Sequence, residues 1–450
     1  MPGQGFSYTR EKLRALARQV LDHARSMGAT ACEADVSEGF GQSVTVRRQD
    51  VETIEYNRDK GIGVTVYLGQ RRGHASTSDF SGQAVRAAVE AALSIARFTA
   101  EDPCAGLPEE MLLARGDFGE TKLDLHHPWP LPVEEAIGIA RRCEQAAFDV
   151  SPRVTNSEGA SISTHQSHFA SANSLGFMGG YATSRHYISC APIVGEGDAM
   201  QRDDWYSGKR APGDLALPAA IGDYAARRAL SRLGARKLKT RQVPVLFEAP
   251  LAAGLIGSFV HAASGGALYR KSSFLLDALG SRIFPDFMQI SERPHLPRGL
   301  ASSPFDDDGV ATCDREVVAD GVLQGYFLST YSARKLGLQT TGNAGGSHNL
   351  IVAPSGELDF CAMLKEMGTG LLVTELLGHG INYVTGDYSR GAAGYWVEKG
   401  EIAHPVHEIT IAGNLKDMFR NIAAIGNDVV VRGSKQVGSI LVGRMTVAGN

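Results

Sequence analysis

The chain has 450 residues, a formal net charge of −4, 43% hydrophobic and 21% charged residues. That length excludes one compact core and predicts two or three packed domains, and the ordinary composition predicts a globular protein. No block of Lys and Arg stands out, so nothing in the charge points to nucleic acid.

The first segment, residues 1–100, reads as a small α/β domain. Leu13, Leu16, Ala17, Val20, Leu21 and Ala24 recur at helical spacing and Gly28 follows as a stop. Val44 and Val46, then Val64, Val66 and Leu68, alternate with polar residues as in half-exposed antiparallel strands. A second helix starts near Ser81, with Val85, Ala88, Val89, Ala92 and Leu93 on one face, and residues 101–125 read as irregular.

The second segment, 126–234, opens with a helix at about Pro132, where a missing N–H is no loss. A β-meander is expected over 154–207, then a helix from about Pro218 that ends at Gly234. The basic stretch ARKLKTRQ follows as a solvated boundary. The third segment, 243–450, is larger and β-rich, with hairpin signals at Asp320-Gly321 and Lys399-Gly400 and helical pieces near 332–336, 361–367 and 414–422. The expected fold is α+β and multi-domain: antiparallel sheets with packed helices and a large β-rich C-terminal domain.

Residues 249–269 contain no Asp, Glu, Lys or Arg. Four glycines, two serines and His261 interrupt them, so they read as a closely packed internal helix and a turn, not a membrane span. The six cysteines are widely spaced with no CxxC pair, and the N-terminal MPGQGFSYTREK is too polar for a secretory signal. Free thiols and the cytoplasm are expected.

No HExxH, HxxEH, GxSxG or P-loop motif occurs. Glu375 and His379 are four apart and would share a face of a helix, as metal ligands or as a local ion pair. His404 and His407 flank Pro405 in a strand or its edge, where a surface role is the plainer reading. GDYSRGAAG carries Asp387 and Arg390, either in a turn held by their salt bridge or in a loop lining a peptide cleft.

Long stretches carry a resemblance: GGALYRKSSFLLDALG, TYSARKLGLQTTGNAGG, LKEMGTGLLVTELLG and VTGDYSRGAAGYWVEKGEI, with others covering nearly the whole chain. The chain resembles the PmbA (TldE) branch of the TldD/PmbA metallopeptidase family. The resemblance implies a heterodimer with a TldD-like catalytic subunit, together a zinc peptidase on flexible peptides such as antibiotic leader segments and an antitoxin. A homodimer of the isolated chain is a further possibility. In the TldD paralogue zinc is held by an HExxxH helix and a later cysteine. The resemblance places the two histidine positions on Gly257 and Ala262, the glutamate on Ser258 and the cysteine near Arg432. Sliding the register to use His261 puts Ile256 and Gly257 at the His-Glu positions. Either way this chain is expected to hold no zinc, which belongs to the partner, and to form part of the peptide cleft. The alternatives are a self-sufficient metallopeptidase with a relocated site among Glu375, His379, His404 and His407, or an adaptor for a regulatory protein.

Overall fold

A computed structural model describes residues 5–118 and 122–449. The first segment runs α1 (Arg10–Ser26), β1 (Ala31–Arg47), β2 (Asp50–Leu68), β3 (Arg71–Thr77) and α2 (Gly82–Phe98). Side chains of Thr9 and Ser81 cap the two helices by accepting from Lys12 N and Ala84 N. The central segment runs α3 (Val133–Asp149), β4 (Val154–Asn173), β5 (Met178–Gly179), β6 (Ala182–Val194), β7 (Gln201–Arg202), β8 (Trp205–Lys209) and α4 (Pro218–Ser231).

These two segments share one eight-stranded sheet in the order β3-β2-β1-β4-β6-β7, with β5 on β4 and β8 on β6. The antiparallel β1–β4 pairing, from Glu33↔Asn173 to Val46↔Ala160, joins them. β1 is long enough to serve two cores. Its Cys32, Ala34 and Val36 pack with α1 and α2, and its Val44 and Val46 pack with α3 and α4. The α3–α4 crossing is close: a Cβ on Gly222 would stand 1.9 Å from the Cys143 carbonyl oxygen. The β1–β2 turn lacks the glycine that usually marks one. Arg48 and Gln49 both take positive φ, and buried Glu144 holds them by accepting from their N–H groups at 2.9 and 2.7 Å.

The third segment contains β9 (Arg241–Phe247), α5 (Ala249–Ala262), α6 (Gly265–Tyr269), β10 (Ile290–Glu292), β11 (Arg315–Ala319), β12 (Val322–Leu323), α7 (Thr330–Leu336), β13 (Leu350–Val352), α8 (Phe360–Met367), β14 (Gly370–Leu377), β15 (Asp387–Glu398), β16 (Glu401–Asn414), α9 (Leu415–Arg420), β17 (Ile422–Ile425), β18 (Val430–Arg432), β19 (Lys435–Val437) and β20 (Ile440–Ala448). One sheet runs β12-β11-β10-β13-β19-β18. The other runs β16-β15-β14-β9-β20-β17, and a further β16–β20 pairing closes it into a ring. Both expected hairpins form, with Asp320-Gly321 and Lys399-Gly400 in the left-handed region at their turns. The fold is α+β, with a strand-rich third segment. The uncharged stretch is α5, whose Leu255, Ile256, Phe259 and Ala262 enter the largest core. Among the described residues no helix is long and apolar enough to cross a membrane.

The basic stretch is not a free linker. Arg236 forms a bridge to Val406 of β16, and Lys237 pairs with Glu408 at 2.9 Å.

Candidate functional site

α5 follows β9 directly, and β18 and β19 lie against it. Its outer face carries exposed Gly254 and His261 and half-buried Pro250 and Gly257, at the three- and four-residue steps of one helix face. A Cβ on Gly254 would meet nothing within 4 Å. On Gly257 it would meet only Cε of Lys435, at 3.8 Å. The lysine therefore lies across the helix at the position the sequence comparison gives to the first histidine. Its half-buried ammonium makes no hydrogen bond or ion pair among the described residues, and burial pulls its pKa below the usual lysine value.

The neighbouring positions are equally poor in metal donors. The Ser258 hydroxyl bonds its own helix at the Gly254 carbonyl, 3.3 Å away, and Ala262 is fully buried. His261 stacks on Tyr383 with ring centroids 4.0 Å apart. Arg432 directs its guanidinium over the rings of Tyr206 and Trp205, at 4.0 and 4.2 Å. These residues do not fit a metal ion: they present two cations, one imidazole and no carboxylate or thiolate, whereas a zinc site requires at least three anionic or imidazole ligands. Among the described residues no group of three or more His, Cys, Asp or Glu is disposed to hold a metal.

Glu375 and His379 do not share a helix. Glu375 lies in β14 and His379 in an exposed turn beyond it. The leucine- and valine-rich run extends as a strand between β15 and β9 because both its faces are covered. Glu375 instead belongs to a mostly buried ion network. Arg228 in the last turn of α4 and Arg232, four residues on at its C-terminal cap, meet Asp203, Glu248 and Glu375. The Arg228–Glu248 contacts are 2.6 and 3.1 Å, the Arg228–Asp203 distance is 3.3 Å, and Arg232 bonds Glu375 directly. Glu248 immediately precedes α5, where a negative charge also favours the helix dipole. The network ties the central segment to both α5 and β14.

GDYSRGAAG is mostly strand β15, not a turn, and its expected salt bridge is not made. The Asp387 carboxylate accepts from the Thr385 hydroxyl at 2.7 Å and from Asn414 Nδ2 at 3.1 Å, which lowers its pKa. Arg390 lies beside buried Tyr388, its Nε unpartnered. His404 and His407 stand on β16, His404 opposite Trp396 and His407 inside the shift between Gly394↔Val406 and Ala392↔Ile409, and neither ring bonds a described residue. The structure thus brings Glu375 into a cluster with α5 and leaves His379, Asp387, Arg390, His404 and His407 outside it. The sequence reading missed Arg228, Arg232, Glu248, Asp203 and Lys435. The four-residue spacing of the two arginines was the available signal.

A second group of acids is held by hydrogen bonds and forms no ion pair among the described residues: Asp306 accepts from the N–H groups of Asp308, Val310 and Ala344. Asp35, Asp306 and Asp307 line a cavity of about 370 Å³ between the first sheet and the third segment. Burial and neighbouring carboxylates push Glu33 and Asp306 up to about 7.

Comparisons with known proteins follow the same layout. Residues 32–96 match the description "PmbA/TldA metallopeptidase domain 1", residues 126–233 the central domain and residues 240–449 the C-terminal domain. The "Metalloprotease PmbA" of Escherichia coli O157:H7 is 50% identical over 439 residues, covering 96% of this chain and 97% of that protein. A "Metalloprotease TldD homolog" of Haemophilus influenzae is 22% identical over 400 residues, covering 83% and 80%. The crystal structure of TldE from Thermococcus kodakarensis has the same fold, with a TM-score of 0.83 at 19% identity and coverage of 96% and 100%. On the half-identical, full-length match and the three successive domain matches, the chain belongs to the PmbA/TldD family of metallopeptidases.

Proposed function

We propose that this chain is the TldE-type subunit of a two-chain zinc peptidase, walling the peptide cleft while a TldD-like partner holds the metal. The observation that carries this reading is at α5: Gly257, Ser258 and Ala262 offer no ligand, and Lys435 lies over Gly257. A cation there opposes a dication electrostatically as well as failing to bind it. The likeness to both a TldD homolog and a TldE structure supports paralogous partners. The substrates are flexible peptides, antibiotic leader segments and an antitoxin among them, and the compartment is the cytoplasm. In this reading the chain's own contribution is to position and enclose an extended peptide, whose main chain is held by strand addition without reading much sequence.

The test is a peptidase assay on this chain, on its TldD-like partner and on their mixture, with metal analysis of each. The mixture is expected to cleave an unstructured peptide, and this chain alone to bind no zinc and cleave nothing. Stoichiometric zinc together with cleavage in the isolated chain would overturn the reading.

A further inference from the structure

Two sheets end side by side without joining. β8 pairs only with β6, and β18 pairs only with β19, so each leaves one strand edge open among the described residues. Arg432 bridges them: besides covering the Tyr206 and Trp205 rings, its Nη1 donates to the Tyr206 carbonyl at 3.2 Å. That carbonyl therefore points out of its sheet, and by antiparallel alternation the main-chain groups of Gly208 point the same way. Cavities of about 360 and 190 Å³ lie along this seam, and both are lined by Gly208, Lys209, Leu300, Val431 and Gly433. Leu296, Pro297 and Ile351 extend the larger one, and Tyr187, Trp205 and Tyr206 the smaller.

The charge around the larger cavity is one-sided. Arg210 is only 6% exposed, yet it faces no carboxylate. It donates instead to the carbonyls of Gly299, Ser184 and Leu300 at 2.9, 3.3 and 3.0 Å, and Arg185 donates to the same Leu300 carbonyl. Lys209 has no partner among the described residues. Asp214, the one carboxylate in the lining, is already paired with Arg298 at 3.0 Å. Burial and nearby Arg185 pull Arg210 down to about 10, the mark of a cation short of an anion. A mostly buried arginine without a counter-charge is costly unless something anionic joins it.

We infer that the seam between β8 and β18 is a peptide groove, and that Lys209 and Arg210 hold a carboxylate of the bound segment. The open strand edges supply main-chain partners, the apolar lining takes a side chain, and the two cations fix direction and register. The carboxylate comes from the peptide's C-terminus or from an Asp or Glu side chain. The inference rests on the reading of this chain as a wall of the cleft, but its test measures binding to this chain alone and needs neither metal nor cleavage, so the two can fail separately.

The experiment uses the full chain and three fluorescein-labelled unstructured octapeptides. One has a free C-terminal acid and no internal acids, the second is its C-terminal amide, and the third is that amide with one internal Asp. Anisotropy is expected to show at least one acid-bearing peptide bound about ten-fold more tightly than the plain amide. Which of the two it is names the source of the carboxylate. Lys209→Glu and Lys209→Gln should abolish that preference, while Lys12→Glu, a similar charge change on α1, should keep it. Equal affinity for acid and amide, a preference that survives both Lys209 variants, or no binding at all would overturn the inference.

Discussion

Arg228 and Arg232, at the C-terminal end of α4, are surrounded by Asp203, Glu248 and Glu375, whereas Lys209 and Arg210, just beyond Trp205, face no unpaired carboxylate. Trp205 joins the two regions, with the Arg228 guanidinium 5.2 Å from its ring centroid and that of Arg432 at 4.2 Å. A buried charge with its partner in place holds segments together. A charge left without one costs stability until an anion joins it.

Three measurements would break or sharpen that contrast. The largest effect is expected in the compensated network. Glu375→Ala leaves mostly buried Arg232 with Asp203 alone and should cost about 3 kcal/mol in urea unfolding. Adding Arg232→Met should recover most of that loss, since the cation that lost its closest carboxylate goes too. A single variant within about 0.5 kcal/mol of the parent would mean that the network is not structural. Glu33, whose neighbours include Asp35 and Asp308, comes next. Folding raises the pKa of Glu33 from 4.5 to about 7, so its contribution is full below about 4.5 and is lost as pH rises through about 7. The parent should therefore lose stability between pH 5 and pH 8, and Glu33→Gln should shrink that loss by about 1 kcal/mol, read from unfolding at both pH values. A pH dependence unchanged in the variant would remove Glu33 from the account. The smallest effect is at Lys435. Its ammonium is half-buried and unpaired, so Lys435→Met should raise stability by about 0.5 kcal/mol in a thermal melt. A loss instead would reveal a partner for the charge.

Local patterns carried much of the fold. The apolar spacing in α1 and α2, the capping Ser81 and the two glycine-containing hairpin turns all report on neighbours within a few residues, and they read correctly. The full length of β2 did not, because its turn is held by Glu144, nearly a hundred residues away, and not by turn residues of its own. The site was legible only in part. Family resemblance led to α5, but spacing misread Glu375 and His379, since a run buried on both faces has no strand period to distinguish it from a helix. Lys435 gave no signal at all. Its meaning comes from Gly257, which lies 178 residues earlier (435 − 257) and contributes nothing but room.

The closed ring of the third segment also sets an order in time. β20 lies between β9 and β17 and also pairs with β16, yet of these it leaves the ribosome last. Every strand of the first sheet, from residue 31 to residue 209, is made before β9 begins. During synthesis the first sheet can therefore assemble while the third segment waits with β9 unpaired along the edge that β20 will cover. That waiting strand, apolar from Val243 to Phe247 and followed at once by uncharged α5, is where a chaperone or a nascent-chain protease would find this protein most exposed.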